Sequence, residues 1–201
     1  MSRADSSDLG ERPDAAAELR RLARGLAPPR TVALVGLMGA GKTTVGRRLA
    51  QALSLPFVDA DDAIVDAAGR SIEDIFAERG ECEFRRGERQ VIARLLAGPV
   101  HVLATGGGAF INPNTRALMK EHAITIWLRA PLDVLMKRVL KRDHRPLLKE
   151  EDPQQVMQRL IDERYPIYAE ADLTVDTANT PHNTAVVAIL AALRAHLAKQ
   201  P

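Results

Sequence analysis

The sequence predicts an α/β protein: a three-layer α/β/α arrangement in which a five-stranded parallel sheet is covered by helices on both faces. Three observations carry this. Short apolar runs alternate with longer amphipathic segments from residue 31 to the C-terminus, the pattern of a sheet built from helical crossovers. The first run, 31–35, feeds Gly36-Leu37-Met38-Gly39-Ala40-Gly41-Lys42-Thr43, which fits G-x-x-x-x-G-K-[ST] between a strand and a helix. The 201 residues are 46% apolar, enough for one sizeable core, and only 3% aromatic, which leaves that core to Ala, Leu, Val and Ile.

Residues 1–29 read as an N-terminal extension ahead of a domain spanning 30–201. Positions 1–14 are polar and expected to be disordered, while 15–25 form a short amphipathic helix stopped by Gly25 and the Pro28-Pro29 pair. Its acids, Asp5, Asp8, Glu11, Asp14 and Glu18, argue against an organelle transit peptide. The extension is expected to be solvated, with a helical turn or two packed.

The glycine-rich loop follows the first strand. Its backbone N–H groups suit phosphates, Lys42 reaches the β/γ-phosphates, and Thr43 offers a hydroxyl to Mg²⁺. The helix over 43–53 adds its N-terminal partial charge beneath them. A second strand, 55–59, ends in Asp59-Ala60-Asp61. Two residues apart on extended backbone, the carboxylates would point the same way, suited to water-mediated Mg²⁺ ligation and to orienting or deprotonating an attacking hydroxyl. A surface turn or a helix cap is the plainer reading of the same three residues.

Ser71 with Asp74 forms a capping pattern that opens a helix to about residue 78, and Gly80 stops it. A further helix over 81–97 carries Glu83-Phe84-Arg85-Arg86-Gly87-Glu88. Adjacent arginines cannot share one helix face, so one can face a site while the other faces water. An exposed ion-paired face with Glu81, Glu83 and Glu88 is the alternative. A third strand, 100–104, runs into Thr105-Gly106-Gly107-Gly108-Ala109, where three glycines imply close backbone approach. No Asp ends that strand, which makes Asp59 the better metal residue; His101 reads as structural.

The remaining pattern gives a helix over 114–121, a strand over 123–128 with Trp127 in packing, and a helix from Pro131 to about 142. Residues 143–152 are polar and irregular. With Arg138, Lys141, Arg142, Arg145 and Lys149 nearby, they suit a basic lid over phosphates. A helix over 153–164 ended at Tyr165-Pro166, a strand over 172–176 and a helix over 181–199 complete the chain.

The charge balance, 28 basic against 26 acidic residues for a net +2, supplies no argument for nucleic acid or a membrane surface. One cysteine, Cys82, excludes an internal disulfide and a cysteine-cluster metal site. No apolar run approaches the length that spans a bilayer, and no signal-peptide core is visible, so a cytoplasmic location is expected.

Taken in order and spacing, the loop 36–43, Asp59-Ala60-Asp61, Gly69-Arg70-Ser71-Ile72 with Ile75-Phe76, Glu83-Phe84-Arg85, Gly106-Gly107-Gly108, Arg145-Pro146-Leu147-Leu148 and Arg164 with Pro166 and Tyr168 resemble the shikimate kinase family, over about residues 31–199. The resemblance implies a P-loop kinase fold with strand order 2-3-1-4-5, a mobile lid at about 139–152, and a monomer. It implies transfer of the ATP γ-phosphate to the 3-hydroxyl of shikimate, giving shikimate 3-phosphate and ADP on the route to chorismate and aromatic amino acids. By the same likeness Gly39, Ala40, Gly41, Lys42, Thr43, Thr44, Arg138 and Arg145 would hold ATP, with Thr43 and, through water, Asp59 on Mg²⁺. Asp61, Arg85, Gly107 and Arg164 would hold shikimate over a wall of Phe76 and Phe84, and Lys42, Asp61 and Arg145 would carry catalysis. Thr43 where Ser is frequent, Ala60 where Thr is frequent, and the lack of a basic residue in 177–181 depart from the family pattern. The alternatives are another small-molecule kinase with the same loop, such as a gluconate or nucleoside monophosphate kinase, and a non-catalytic nucleotide-binding relative. A GTPase has no N/T-K-x-D element to stand on here.

Overall fold

In the computed structural model, which describes residues 13–140, 152–177 and 182–199, five strands form one parallel sheet in the order β2-β3-β1-β4-β5. They are β1 (Thr31–Val35), β2 (Phe57–Asp59), β3 (Val102–Ala104), β4 (Ala123–Arg129) and β5 (Leu173–Asp176). The helices between them are α1 (Pro13–Ala23), α2 (Lys42–Leu53), α3 (Ala60–Ala68), α4 (Ile72–Leu96), α5 (Pro113–His122), α6 (Leu132–Val139), α7 (Pro153–Tyr168) and α8 (His182–Leu197). This is the predicted strand order.

Every residue of β1 is buried, because helices cover both faces of the sheet and the central strand meets no water. The register then fixes where the loops open. Leu34 pairs with Ala104, and Ala104 pairs with Asp59, so β1, β3 and β2 reach their carboxyl ends at one level. The glycine-rich loop, the glycine triplet and the Asp59–Asp61 turn therefore border a single crevice, the place where open parallel sheets bind ligands. The main core holds Leu34, Leu103, Ile124 and Ile126 from the strands with Phe110 and Tyr168 beside them. A smaller cluster, Ile64, Phe84 and Val91, joins α3 to α4.

Several predicted boundaries shift. The helices expected on either side of Gly80 form one run that kinks there, at φ 75° and ψ 173°, so Gly80 breaks the axis as read. Helix α7 does not end at Tyr165-Pro166 but continues through Pro166 to Tyr168. Proline removes one donor from the ladder, yet both flanking tyrosines anchor the last turn: the hydroxyl of Tyr165 donates to the Ala130 carbonyl and that of Tyr168 to the Gly107 carbonyl. Helix α6 ends at Val139, and residues 141–151, with the predicted lid and Arg145, lie outside the described residues, as do 1–12 and 178–181.

Helix α1 is docked rather than merely solvated. Leu22 is buried, with Leu19 and Ala23 packed on the core, and Arg194 of α8 donates from Nε to the Leu22 carbonyl at 2.6 Å and from Nη2 to that of Arg24. A guanidinium is a strong donor, and carbonyls at a helix C-terminus lack intrahelical partners. Arg194→Ala is expected to lower stability by about 1–2 kcal/mol and to speed amide exchange over 13–23 while the sheet amides stay slow. Exchange over 13–23 that matches wild type would show that α1 does not depend on Arg194.

Candidate active site

The glycine-rich loop leaves β1 pressed against its neighbour. At Gly36 a β-carbon would stand 2.7 Å from the Leu128 carbonyl oxygen, and φ there is +137°, so only glycine fits without a shift. The loop then turns into α2, whose first residue is Lys42. The Lys42 ammonium donates to the carbonyls of Gly36 at 2.8 Å and Leu37 at 3.0 Å, which holds it over the loop. From the opposite side Arg138 donates to the carbonyls of Gly39 at 3.2 Å and Ala40 at 3.4 Å, and burial lowers its pKa. Thr177, at the end of β5, is buried and donates to the Arg129 carbonyl at 3.2 Å and more weakly to that of Ala40 at 3.5 Å.

Beside this loop the two aspartates meet, by a different geometry from the extended one expected. Asp59 ends β2 and caps α3, while Asp61 is already helical. The helix-cap reading of this turn is thus true as well. Asp59 accepts from the Thr43 hydroxyl at 2.8 Å through Oδ2 and from the Asp61 backbone N–H at 3.1 Å through Oδ1. A cleft of about 110 Å³ is bordered by Gly39, Lys42, Thr43, Asp59, Asp61 and Gly107. The hydroxyl–carboxylate pair is an all-oxygen donor set, and among the described residues no group of three His, Cys, Asp or Glu side chains could hold a metal. That donor set fits Mg²⁺, which takes one or two protein oxygens and fills its octahedron with water and phosphate.

The glycine triplet after β3 makes room by its missing side chains. A β-carbon on Gly106 would stand 2.8 Å from Asp61 Oδ1 and 3.1 Å from Glu88 Oε1; one on Gly108 would meet the Arg85 guanidinium at 2.4–2.6 Å. Arg85 donates from Nη1 to Glu88 at 2.8 Å, and from Nε and Nη2 to Glu81 at 3.3 and 3.2 Å. Burial pulls its pKa down, but Glu88 and Glu81 outweigh burial and the net shift is upward. Arg86 points outward, 63% exposed, toward Glu83. Phe76 and Phe84 pack ring to ring at 4.5 Å, with the Arg85 guanidinium 5.1 Å above the Phe84 ring. Arg164 on α7 donates to the Gly107 carbonyl at 3.5 Å, so the two arginines lie against consecutive glycines.

Glu88 corrects the sequence reading. The alternative of an exposed ion-paired face holds in its pairing but not in its exposure: Glu88 pairs with Arg85 and its side chain is 1% exposed beneath it. The signal was present: Phe84, Glu88, Val91 and Ile92 recur at i, i+4, i+7 and i+8, a buried helical stripe with one acid in it. Burial raises its pKa, helped by Asp61 and Glu81 and opposed by Arg85.

A sequence model of the family described as shikimate kinase matches residues 38–194. A shikimate kinase of Caulobacter vibrioides is 59% identical over 171 residues, covering 84% of this chain and 86% of the relative. One of Paramagnetospirillum magneticum is 53% identical over 182 residues, 90% and 93% of the two chains. Among solved structures, shikimate kinase from Acinetobacter baumannii in complex with shikimate superposes with a TM-score of 0.79 at 35% identity, over 89% of this chain and 99% of that one. A gluconokinase from Sinorhizobium meliloti 1021 reaches a TM-score of 0.57 at 19% identity, a likeness of fold alone.

The Glu88 environment has a pH signature. A carboxyl whose folded-state pKa is raised adds stability while protonated, and loses it as pH climbs from the ordinary value of 4.5 through the folded-state value. The urea stability of the wild type relative to Glu88→Gln is therefore expected to fall as pH climbs above the ordinary value of 4.5. A difference that is flat or grows with pH would mean that the Arg85 pairing outweighs burial.

Proposed function

We propose, from the premise that this chain belongs to the shikimate kinase family, that it phosphorylates the 3-hydroxyl of shikimate with ATP by means of the residues gathered at the carboxyl ends of β1, β2 and β3. The observation that supports this reading is the placement of Arg85 against Gly108 and of Arg164 on the Gly107 carbonyl, in a glycine triplet whose Gly107 borders the same cleft as Lys42, Thr43, Asp59 and Asp61. Shikimate bears one carboxylate, and guanidinium forks meet a carboxylate through paired charge-assisted bonds.

ATP lies with its phosphates on residues 39–44, and Arg138 borders the base. Lys42, held over the loop by two carbonyls, exchanges those bonds for oxygens of the transferred phosphate. Thr43 and, through water, Asp59 would hold Mg²⁺, which would supply charge neutralisation for the transferred phosphate. Asp61 accepts the proton of the attacking hydroxyl or fixes its direction, and its place at the N-terminus of α3 beside Gly106 sets that direction. Gly107 offers backbone N–H to the ring hydroxyls, and Phe76 with Phe84 forms the apolar wall beneath Arg85. Arg145, in the lid segment, is assigned the role of reaching the phosphates on closure and excluding water. The enzyme is taken to act as a cytoplasmic monomer; among the described residues no helix is long and apolar enough to cross a membrane.

Mg²⁺-dependent ATP-to-ADP turnover with shikimate, quinate and gluconate compared as acceptors tests the assignment. Strong dependence on shikimate is expected, and ADP release driven by gluconate or indifferent to acceptor would overturn it. Arg85→Ala is expected to raise the shikimate KM by about 10- to 100-fold with the ATP KM little changed. An unaltered shikimate KM would remove Arg85 from the clamp. Asp61→Asn is expected to cut kcat by about 10²- to 10⁴-fold with the fold intact, and wild-type turnover would end its role.

A further inference from the structure

Tyr168 carries a hydroxyl that the reaction as described leaves unused. Its side chain is fully buried, with ring centroids 6.4 Å from Phe110 and 6.0 Å from Trp127. A phenol taken out of water requires a hydrogen-bond partner, and this one donates to the Gly107 carbonyl. Arg164, four residues earlier and so one turn back on the same face of α7, donates to that same oxygen at 3.5 Å, beyond the usual range of about 2.7–3.2 Å. The phenol is therefore the principal donor to this carbonyl. Burial pushes its pKa up to about 12 although Arg164 and Arg85 pull the other way, so it stays protonated and donating at any working pH.

We infer that Tyr168 is a positioning residue for the acceptor clamp: its hydroxyl donates to the Gly107 carbonyl and accepts from Arg164, and so it orients the Arg164 guanidinium for a carboxylate and fixes the peptide between Gly107 and Gly108. The inference rests on the function proposed above. Gly107 and Gly108 are the two positions against which Arg164 and Arg85 lie, so the plane of the peptide between them sets both forks. Without the phenol, Arg164 loses its bond to that oxygen and is the nearest remaining donor to the half-buried carbonyl, so it turns toward the backbone and leaves the ligand with one fork weakened.

Tyr165 supplies a matched control. Its hydroxyl donates to the Ala130 carbonyl from the same turn of α7 and packs on the same Trp127, with ring centroids 4.9 Å apart, but reaches no glycine of the triplet. Tyr168→Phe is expected to raise the shikimate KM about tenfold with the ATP KM and kcat within about twofold of wild type, and Tyr165→Phe to leave the shikimate KM unchanged. An acceptor in which the carboxylate is reduced to an alcohol should be used equally well by wild type and Tyr168→Phe, because no fork is at stake. In an Arg164→Ala background, Tyr168→Phe should add nothing further. An unchanged shikimate KM in Tyr168→Phe, an equal loss with the neutral acceptor, or an equal loss in Tyr165→Phe would each overturn the positioning role. If Tyr168→Phe is not recovered folded, 3-fluorotyrosine at position 168 keeps ring and hydroxyl while altering donor strength. A shift in its shikimate KM alone supports the role, and an unmoved value overturns it. A wild-type enzyme that does not use shikimate would instead remove the proposed function itself.

Discussion

The site depends on how closely side chains can approach the backbone that leaves β3. Gly106 and Gly108 carry no β-carbons, and the vacated space is filled by Asp61 and the Arg85 guanidinium, at distances where a β-carbon would force a shift, and by Glu88 at a tight 3.1 Å. The sheet register supplies the other half of the constraint. Because β2, β3 and β1 end at one level, the aspartate turn, the glycine triplet and the phosphate loop face each other across one cleft. An enzyme that works by positioning and charge neutralisation needs this more than it needs any reactive group.

The two halves of the cleft are built differently. On the nucleotide side, backbone geometry does most of the work: positive-φ glycines, the first turn of α2, and a lysine and an arginine tethered to loop carbonyls. Around the glycine triplet, polar side chains are stacked in depth, with Glu88 buried beneath Arg85 and Tyr168 behind Gly107. A buried acid under an arginine costs desolvation, and its return is direction: Glu88 and Glu81 together engage all three nitrogens of the Arg85 guanidinium and fix its plane against Gly108. Asp61 belongs to both halves, since its backbone N–H leans on Asp59 and its carboxylate on Gly106. Trp127 spans them too, with its ring against Tyr165 and Tyr168 and its edge near Gly36.

Much of this was legible in the chain. The loop 36–43 announces itself by spacing, the strand–helix alternation gives the parallel sheet, and the strand order follows from the family likeness. That one of Arg85 and Arg86 faces inward follows from the 100° between neighbours on a helix, and the structure chooses Arg85. What local pattern did not deliver were interactions set by tertiary contact. Glu88 looked solvated because acids near arginines usually are, and only its place in a buried stripe said otherwise. Pro166 looked terminal because proline usually is; two tyrosine hydroxyls bonding to distant carbonyls carry the helix past it. The docking of α1 through Arg194 links residues some 170 positions apart, and no local window contains it.

The claim that the acceptor half is shaped by the unsubstituted backbone of the triplet is tested most directly by Gly108→Ala, with shikimate and MgATP binding measured separately by calorimetry. The added methyl falls where the Arg85 guanidinium lies, so the account predicts shikimate affinity at least about tenfold weaker with MgATP affinity retained. Shikimate binding equal to wild type, or a parallel loss of both ligands, would contradict it.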